Sequence, residues 1–175
     1  KMKYFMLLLF CLLCYGCTTA ESEFQVDAVT VENGTRTIQD TVIKVEFERA
    51  IYKTIEATVT NLKDEPVFID FDYTTYTSPK GYSFQVLSGF TTYGKIEDAQ
   101  RIIVVPANSK YYTVIMPKEF TYFADKEYVT EPIFAKPKKN QICAVTIAYR
   151  IGEKTAPINY FKIPLKIIKV MEVGP

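Results

Sequence analysis

Cysteine is the residue type with the most distinctive chemistry in this 175-residue chain, and three of the four cysteines lie close to its start. The third of them, Cys17, follows a basic start, an apolar run over residues 4–13 and the small residue Gly16. A run of this length is too short for a bilayer, which needs about 20 apolar residues. The pattern is instead typical of a signal peptide.

The four residues that end at Cys17 resemble the lipobox of bacterial lipoproteins, usually Leu-Ala/Ser-Gly/Ala-Cys. Gly16 and Cys17 match that motif, whereas Cys14 and Tyr15 depart from it as in the looser lipoboxes of Bacteroidota. The resemblance implies that residues 1–16 are removed, that the Cys17 thiol carries a diacylglycerol and that the new amino group is acylated. Several acyl chains hold a protein firmly on a membrane. The alternative is an ordinary signal peptide with Cys17 as an incidental thiol.

The residue after the lipidated cysteine directs sorting in the family that the motif resembles. Thr18 stands there, and not the Asp that resembles an inner-membrane retention signal, so the resemblance implies the cell outer membrane. Residues 17–23 are then a lipidated tether and residues 24–175 a single domain. A periplasmic and an exterior face of the membrane both stay open.

Cys143 is the remaining thiol once Cys11 and Cys14 leave with the signal peptide and Cys17 carries the lipid, so we expect no intramolecular disulfide in the mature chain. Cys143 lies in an apolar run, where alternation places it on the same face as Val145 and Ile147. This pattern predicts a buried and unreactive thiol.

The chain has no histidine, which excludes Ser-His-Asp and Cys-His catalysis and His-based zinc sites. Asp70 and Asp72 flank Phe71, and Asp64 and Glu65 precede them in a turn. Neighbouring carboxylates suit calcium, but no calcium-loop spacing is present. Alternation along a strand instead predicts a solvated polar face for Asp70 and Asp72.

The charge of the mature chain argues against a nucleic-acid partner. The sequence has 21 basic and 20 acidic residues, and removal of Lys1 and Lys3 leaves 19 basic residues and a net charge near −1. Nucleic acid requires a concentrated basic face. Because no catalytic motif is recognisable either, we expect no enzymatic activity and no cofactor.

Two groups of aromatic residues are candidates for ligand binding, in a chain with 13 Tyr, 12 Phe and no Trp. Rings of this kind stack on sugars, although Tyr is also a common half-buried residue of sheets. The second group lies in a segment, residues 117–141, that is long for a loop; its rings could instead pack over an open end of the domain. The two groups are Tyr73, Tyr76, Tyr82 and Tyr93, around a turn at residues 78–81, and Tyr122, Phe123 and Tyr128.

The tripeptide Asp40-Thr41-Val42 resembles the Asp-Ser/Thr-apolar acceptor of O-glycosylation in secreted proteins of Bacteroidota. The resemblance implies an O-glycan on Thr41. Three residues also match such a pattern by chance.

From Phe24 onward, apolar and polar residues alternate with a period of two, which predicts strands and not helices. Ile43, Val45 and Phe47 share one face, for example, and the two longest predicted strands cover residues 142–151 and 159–170. Seven to nine strands with turns at this spacing predict an all-β sandwich.

Two segments carry a resemblance to immunoglobulin-like domains of bacterial lipoproteins. Residues 55–69 combine a strand, Asn61, a short charged turn and a Pro-Val strand, and residues 105–114 follow the pattern Pro-x-x-Ser and then a strand. The resemblance implies an immunoglobulin-like β-sandwich of antiparallel strands. It is a resemblance of fold, and fold does not imply function.

The signal and the fold together lead to a functional hypothesis. We expect a non-enzymatic, membrane-anchored lipoprotein that acts as a protein-interaction or structural module at the outer membrane, with a protein partner in the cell envelope. The alternative is a glycan-binding surface lipoprotein that uses the Tyr and Phe residues named above.

Overall fold

The computed structural model describes residues 23–31, 34–51, 54–88, 102–124, 127–130 and 139–173. Within these ranges the chain forms thirteen strands, all paired antiparallel, and one short 3-10 helix. The strands are β1 (Glu23–Val31), β2 (Thr37–Gln39), β3 (Ile43–Ile51), β4 (Thr54–Asn61), β5 (Val67–Asp70), β6 (Thr75–Thr77), β7 (Ser83–Ser88), β8 (Ile102–Val105), β9 (Lys110–Pro117), β10 (Thr121–Ala124), β11 (Glu127–Thr130), β12 (Ile142–Ile151) and β13 (Asn159–Val173). The 3-10 helix covers Lys118–Phe120.

The strands are arranged in two layers. In the first, which we call the β12 layer, the order is β1-β13-β12, and the other edge of β12 pairs with β5 and then with β6, while β8 pairs with β5. In the second, the β4 layer, the order is β2-β3-β4-β9-β7. Strand β7 connects the layers, because its first half pairs with β6 and its second half with β9.

One apolar cluster fills the space between the layers. Ile43, Val45 and Phe47 are buried as the alternation predicts, and they share the core with Val145 and with residues of β4, β5 and β13. Full burial of a side chain of this size contributes about 1.5–3 kcal/mol. The prediction of an all-β, antiparallel sandwich is confirmed, and the architecture is compatible with the immunoglobulin-like class.

A break in the strand that borders β12 changes the predicted environment of two residues. Strand β5 ends at Asp70, and the chain turns before β6 begins at Thr75. The Thr74 hydroxyl fills the resulting gap, because it donates to the Asp70 carbonyl oxygen at 2.8 Å and accepts from the Ala148 N–H at 3.1 Å. The solvated face predicted for Asp70 and Asp72 is therefore wrong for Asp70, which is buried.

The long aromatic segment at residues 117–141 contains regular structure. The 3-10 helix directly follows β9, and β10 and β11 form a separate two-stranded hairpin. The segment is thus in part a hairpin and not one continuous loop.

Candidate functional site

Two of the predicted ligand-binding tyrosines are open to solvent. Tyr73 is 51% exposed in the turn after β5, and Tyr82 is 64% exposed in the turn that leads into β7. That second turn is closed by hydrogen bonds from the Ser78 N–H to the Tyr82 carbonyl oxygen at 2.8 Å and from the Gly81 N–H to the Ser78 carbonyl oxygen at 2.9 Å. Both phenol rings are therefore available to a ligand.

Tyr76, in contrast, belongs to the core. Its side chain is fully buried and its ring lies 6.4 Å from the ring of Phe84, nearly parallel to it. Burial, and then the interaction with Cys143, raise the pKa of the Tyr76 phenol. A ring in this position cannot serve as a surface platform, so the prediction that Tyr76 contributes to ligand binding is wrong.

The other aromatic candidates are only partly defined. The backbones of β10 and β11 place Phe123 opposite Tyr128, and Tyr122 opposite Val129. The side chains of these residues lie outside the described part of the structure, as does the whole of Tyr93.

Thr41, the predicted glycosylation residue, is exposed in the bend between β2 and β3. The neighbouring Asp40 carboxylate has a structural function. One of its oxygens accepts the N–H groups of Val42 and Ile43 at 2.7 and 2.8 Å, and the other accepts the Tyr149 hydroxyl at 2.9 Å. The hydrogen bonds of the bend thus explain the Asp of the tripeptide, and Thr41 itself lies at the surface.

Cys143 is buried in β12 on the same face as Val145 and Ile147, as predicted. Burial raises the pKa of the Cys143 thiol to about 12, although the interaction with the Tyr76 side chain opposes this shift. The thiol also contacts the Leu165 carbonyl oxygen at 3.6 Å. The thiolate, which is the reactive form, is therefore strongly disfavoured. Cys17 and the predicted signal peptide lie outside the described residues.

A buried ion pair joins Asp70 to Arg150. The Arg150 Nη2 atom lies 3.0 Å from Asp70 Oδ2, and Nη1 donates to the Ala156 carbonyl oxygen at 2.7 Å. The Asp70 side chain is only 3% exposed. The pair therefore holds the loop between β12 and β13 on the end of β5.

The Asn61 side chain makes several hydrogen bonds that its sequence context did not predict. Its Nδ2 atom lies 2.9–3.0 Å from the carbonyl oxygens of Glu65, Val105 and Pro106, and its Oδ1 atom accepts the Lys63 N–H at 2.8 Å. The side chain is buried between the turn after β4 and the turn after β8. These are the two segments that carry the immunoglobulin-like resemblance. Their turn residues are visible in the sequence, but that Asn61 bridges the two turns depends on the packing of the layers.

Around this contact, further bonds hold the two turns together. The Asn108 N–H donates to the Lys63 carbonyl oxygen at 3.1 Å, and the Asn108 amide donates to the exposed Asp64 carboxylate at 3.0 Å. The Asn61 N–H donates to the Ser109 carbonyl oxygen at 2.9 Å. One end of the sandwich therefore presents a fixed, polar set of turns.

The described residues contain no group of three or more His, Cys, Asp or Glu side chains that could hold a metal ion. No helix that they form is long and apolar enough to cross a bilayer.

A small crevice in the core, lined by Val59, Phe71 and Thr113 among others, has room for no more than about one water molecule.

Comparison with known proteins gives no further assignment. No protein-family model matches the chain, and a search of curated proteins finds no significant match.

Proposed function

We propose that the protein is a lipoprotein anchored to the outer membrane through acyl chains on Cys17, and that its sandwich acts as a protein-interaction or structural module. The observation that carries the proposal is the order of a basic start, a short apolar run, Gly16 and Cys17 at the head of the sequence. A short tether then connects Cys17 to β1, which begins at Glu23.

The fixed turns at one end of the sandwich support the second half of the proposal. Loops on a rigid scaffold are common binding elements, and a surface that is already ordered loses less conformational entropy on association. The turns held by Asn61 expose Leu62, Asp64 and Asn108 to solvent. An apolar side chain between polar ones suits a protein partner.

The anchor is tested by mass spectrometry of the protein purified from bacterial membranes, together with fractionation of Cys17→Ala. We expect an N-terminal Cys17 with acyl groups, and release of Cys17→Ala from the membrane fraction. Cys143→Ala is the matched control and should stay membrane-bound. An unmodified N-terminus downstream of Cys17, or a Cys17→Ala variant that remains in the membrane, would refute the anchor.

The second candidate function is glycan binding, which the exposure of Tyr73 and Tyr82 favours. Stacking of an aromatic ring on a sugar needs an accessible ring face. A glycan array with the wild type and Tyr73→Ala/Tyr82→Ala tests this function, and Tyr112→Ala, a change of an exposed tyrosine on the β4 layer, serves as control. Binding lost in the double variant alone supports the function, and no binding above background by the wild type rejects it.

We also propose that Thr41 carries an O-glycan when the protein is made in its own host, because the hydroxyl lies at an exposed bend. Mass spectrometry of the peptide around Thr41, compared with Thr41→Val, tests the modification. An unmodified wild-type peptide would contradict it.

A further inference from the structure

The outer surface of the β12 layer carries an unusual share of exposed apolar side chains. Among the described residues, eight large apolar or aromatic side chains are exposed, and four of them lie on this surface. Each of them has a strand neighbour that is buried in the core or packed against it, so the four point outward; these neighbours are Val105, Cys143, Phe161 and Ile167. The four outward-pointing residues are Val104, Ile142, Tyr160 and Ile168.

Two lysines alternate with the apolar residues along β13. Lys162 and Lys166 occupy the outward positions between Tyr160 and Ile168, and β12 places Ile142 directly opposite Lys166. Neither lysine side chain forms an ion pair or a hydrogen bond with the described side chains. We call Ile142, Tyr160, Lys162, Lys166 and Ile168 the basic-apolar face.

On the outer surface of β5, β6 and β12, no described acidic side chain is left unpaired. The other charged residues on the outer surface of β5 and β12, Asp70 and Arg150, pair with each other. Glu119 approaches the layer at Gln85 on β7, which is three strands away from β13, or about 14 Å at the usual strand spacing. That distance exceeds the screening length at physiological salt, which is about 8 Å.

The outer surface of the β4 layer is different. It carries Glu46, Glu48 and Glu56 together with Lys44 and Lys110, so charges of both signs occur there. Only one large aromatic or apolar side chain, Tyr112, is exposed among the described residues of β3, β4 and β9. The two outer surfaces of the sandwich are therefore distinct in chemistry.

The predicted tether leads into the edge strand that borders the basic-apolar face. Strand β1 is the edge strand beside β13, and it pairs Thr30 with Lys166 and Glu23 with Val173. Cys17 precedes Glu23 by six residues, a length that reaches at most about 20 Å when extended. An acyl group on Cys17 would thus be tied to the strand next to this face.

We propose that the basic-apolar face rests on the bilayer surface and binds anionic phospholipid headgroups. Lys162 and Lys166 reach the phosphates, while Tyr160, Ile142 and Ile168 lie at the boundary between headgroups and acyl chains, where such side chains are favourable. The fixed turns at Asn61 and the outer surface of the β4 layer then remain accessible to partners. The proposal rests on the anchor at Cys17 for its geometry.

The test uses the protein purified from membranes and placed in lipid nanodiscs, either neutral or containing anionic phosphatidylglycerol. Tyr160→Cys and, as control, Tyr112→Cys are labelled with a fluorophore, since the buried Cys143 stays unlabelled. Quenching by spin-labelled headgroups then reports which surface faces the lipid. We expect stronger quenching at position 160 than at 112, most of all in anionic discs.

A charge reversal with a matched control completes the test. Lys162→Glu/Lys166→Glu should abolish the difference in quenching between positions 160 and 112. Two lysines at an anionic surface increase the binding constant for the membrane by a factor of about 25. Lys44→Glu/Lys110→Glu makes the same change in net charge on the other layer, again with one exposed and one half-buried lysine that lack ion partners. It should leave that difference in quenching intact.

The outcomes of these experiments distinguish a failure of the membrane-facing surface from a failure of the lipid anchor. Equal quenching at both positions, or equal effects of the two charge reversals, overturns the membrane-facing surface even when mass spectrometry shows an acylated Cys17. If Cys17 is not acylated, Tyr160→Cys and Tyr112→Cys are labelled in a Cys17→Ala background and added to anionic vesicles. Quenching at position 160 alone still supports the face, and its absence overturns it. A dimer in sedimentation velocity that Lys162→Glu/Lys166→Glu dissociates would assign the face to a second copy and also overturn the proposal.

Discussion

The side-chain amide of Asn61 donates a hydrogen bond to the Pro106 carbonyl oxygen at 3.0 Å, although 45 positions separate the two residues in sequence. The same nitrogen lies 3.0 Å from the Val105 carbonyl oxygen and 2.9 Å from that of Glu65. The amide thus connects the turn after β4 with the turn after β8. It holds in place the end of the sandwich that we propose for partner binding.

Asn61→Ala should lower the free energy of unfolding by about 2–4 kcal/mol. The substitution leaves buried carbonyl oxygens and the Lys63 N–H without a partner, and each unsatisfied buried group costs about 1–3 kcal/mol. Urea unfolding measures the change. Asn159→Ala is the control, since Asn159 is exposed and makes one bond of 3.4 Å, and it should change stability by less than about 0.5 kcal/mol. Similar losses in the two variants would contradict the structural role of Asn61.

Cys143 should react very slowly with a thiol reagent in the folded protein at pH 8. The thiol is buried, and its pKa of about 12 leaves almost no thiolate at that pH. Labelling kinetics with and without denaturant measure the effect, and Cys143→Ala identifies the part of the signal that belongs to this residue. Rapid labelling of the native wild type that Cys143→Ala removes would show that the thiol is accessible.

The same thiol should make stability depend on pH above pH 9. Burial raises the pKa of Cys143 from 9.0 to about 12, so the unfolded chain loses this proton at a lower pH than the folded chain does. The contribution to stability is therefore complete below pH 9 and decreases as pH rises towards 12, by up to about 1.4 kcal/mol per pH unit. Between pH 9 and 10, Cys143→Ala should lose less stability than the wild type in urea titrations. Parallel pH dependence of the two proteins would refute this assignment.

The ion pair between Asp70 and Arg150 should show strong coupling. Arg150→Met leaves the nearly inaccessible Asp70 carboxylate without its cation, which should cost about 3–5 kcal/mol. Asp70→Asn/Arg150→Met should cost clearly less than the sum of the single changes in a double-mutant cycle. Asp64→Asn, at an exposed carboxylate, is the control and should be nearly neutral. Additive losses would mean that the two side chains act independently.

Gly81→Ala and Gly152→Ala should destabilise the protein by similar amounts. Both glycines have a positive φ, +87° and +77°, where an L-residue costs about 1–2 kcal/mol. A Cβ at Gly152 would also lie 2.8 Å from Glu65 Oε2, but the Glu65 side chain is exposed and can turn into solvent. The free energies of unfolding of both glycine variants, measured with and without Glu65→Ala, test whether the contact with Glu65 adds to the loss. A much larger loss at Gly152 that Glu65→Ala relieves would show that the Glu65 carboxylate is held in place.

Long, regular alternation of apolar and polar residues is enough to predict a strand and its core face from sequence. Residues 43–47 and 142–151 form strands with the predicted core faces, and Cys143 is buried beside Val145, because a strand with one apolar face has only one stable orientation over a core. The same two-residue alternation of apolar and polar residues predicts the all-β class. The signal pattern before Cys17 is likewise a property of sequence, since it depends on a linear order of residues and not on a fold.

Tertiary structure alone decided which polar and aromatic residues are buried. Asp70 is buried because β5 stops there and Arg150, 80 positions later, supplies the opposite charge. Tyr73 and Tyr82 lie in turns and are exposed, whereas Tyr76 lies in a short strand and is buried. A tyrosine in such a strand fits either face, and the pairing of Tyr76 with Val145 selects the inner one. The contact between Asn61 and Pro106 has the same origin: it joins segments that only the packing of two layers brings together, and local periodicity carries no information about partners that far apart in sequence.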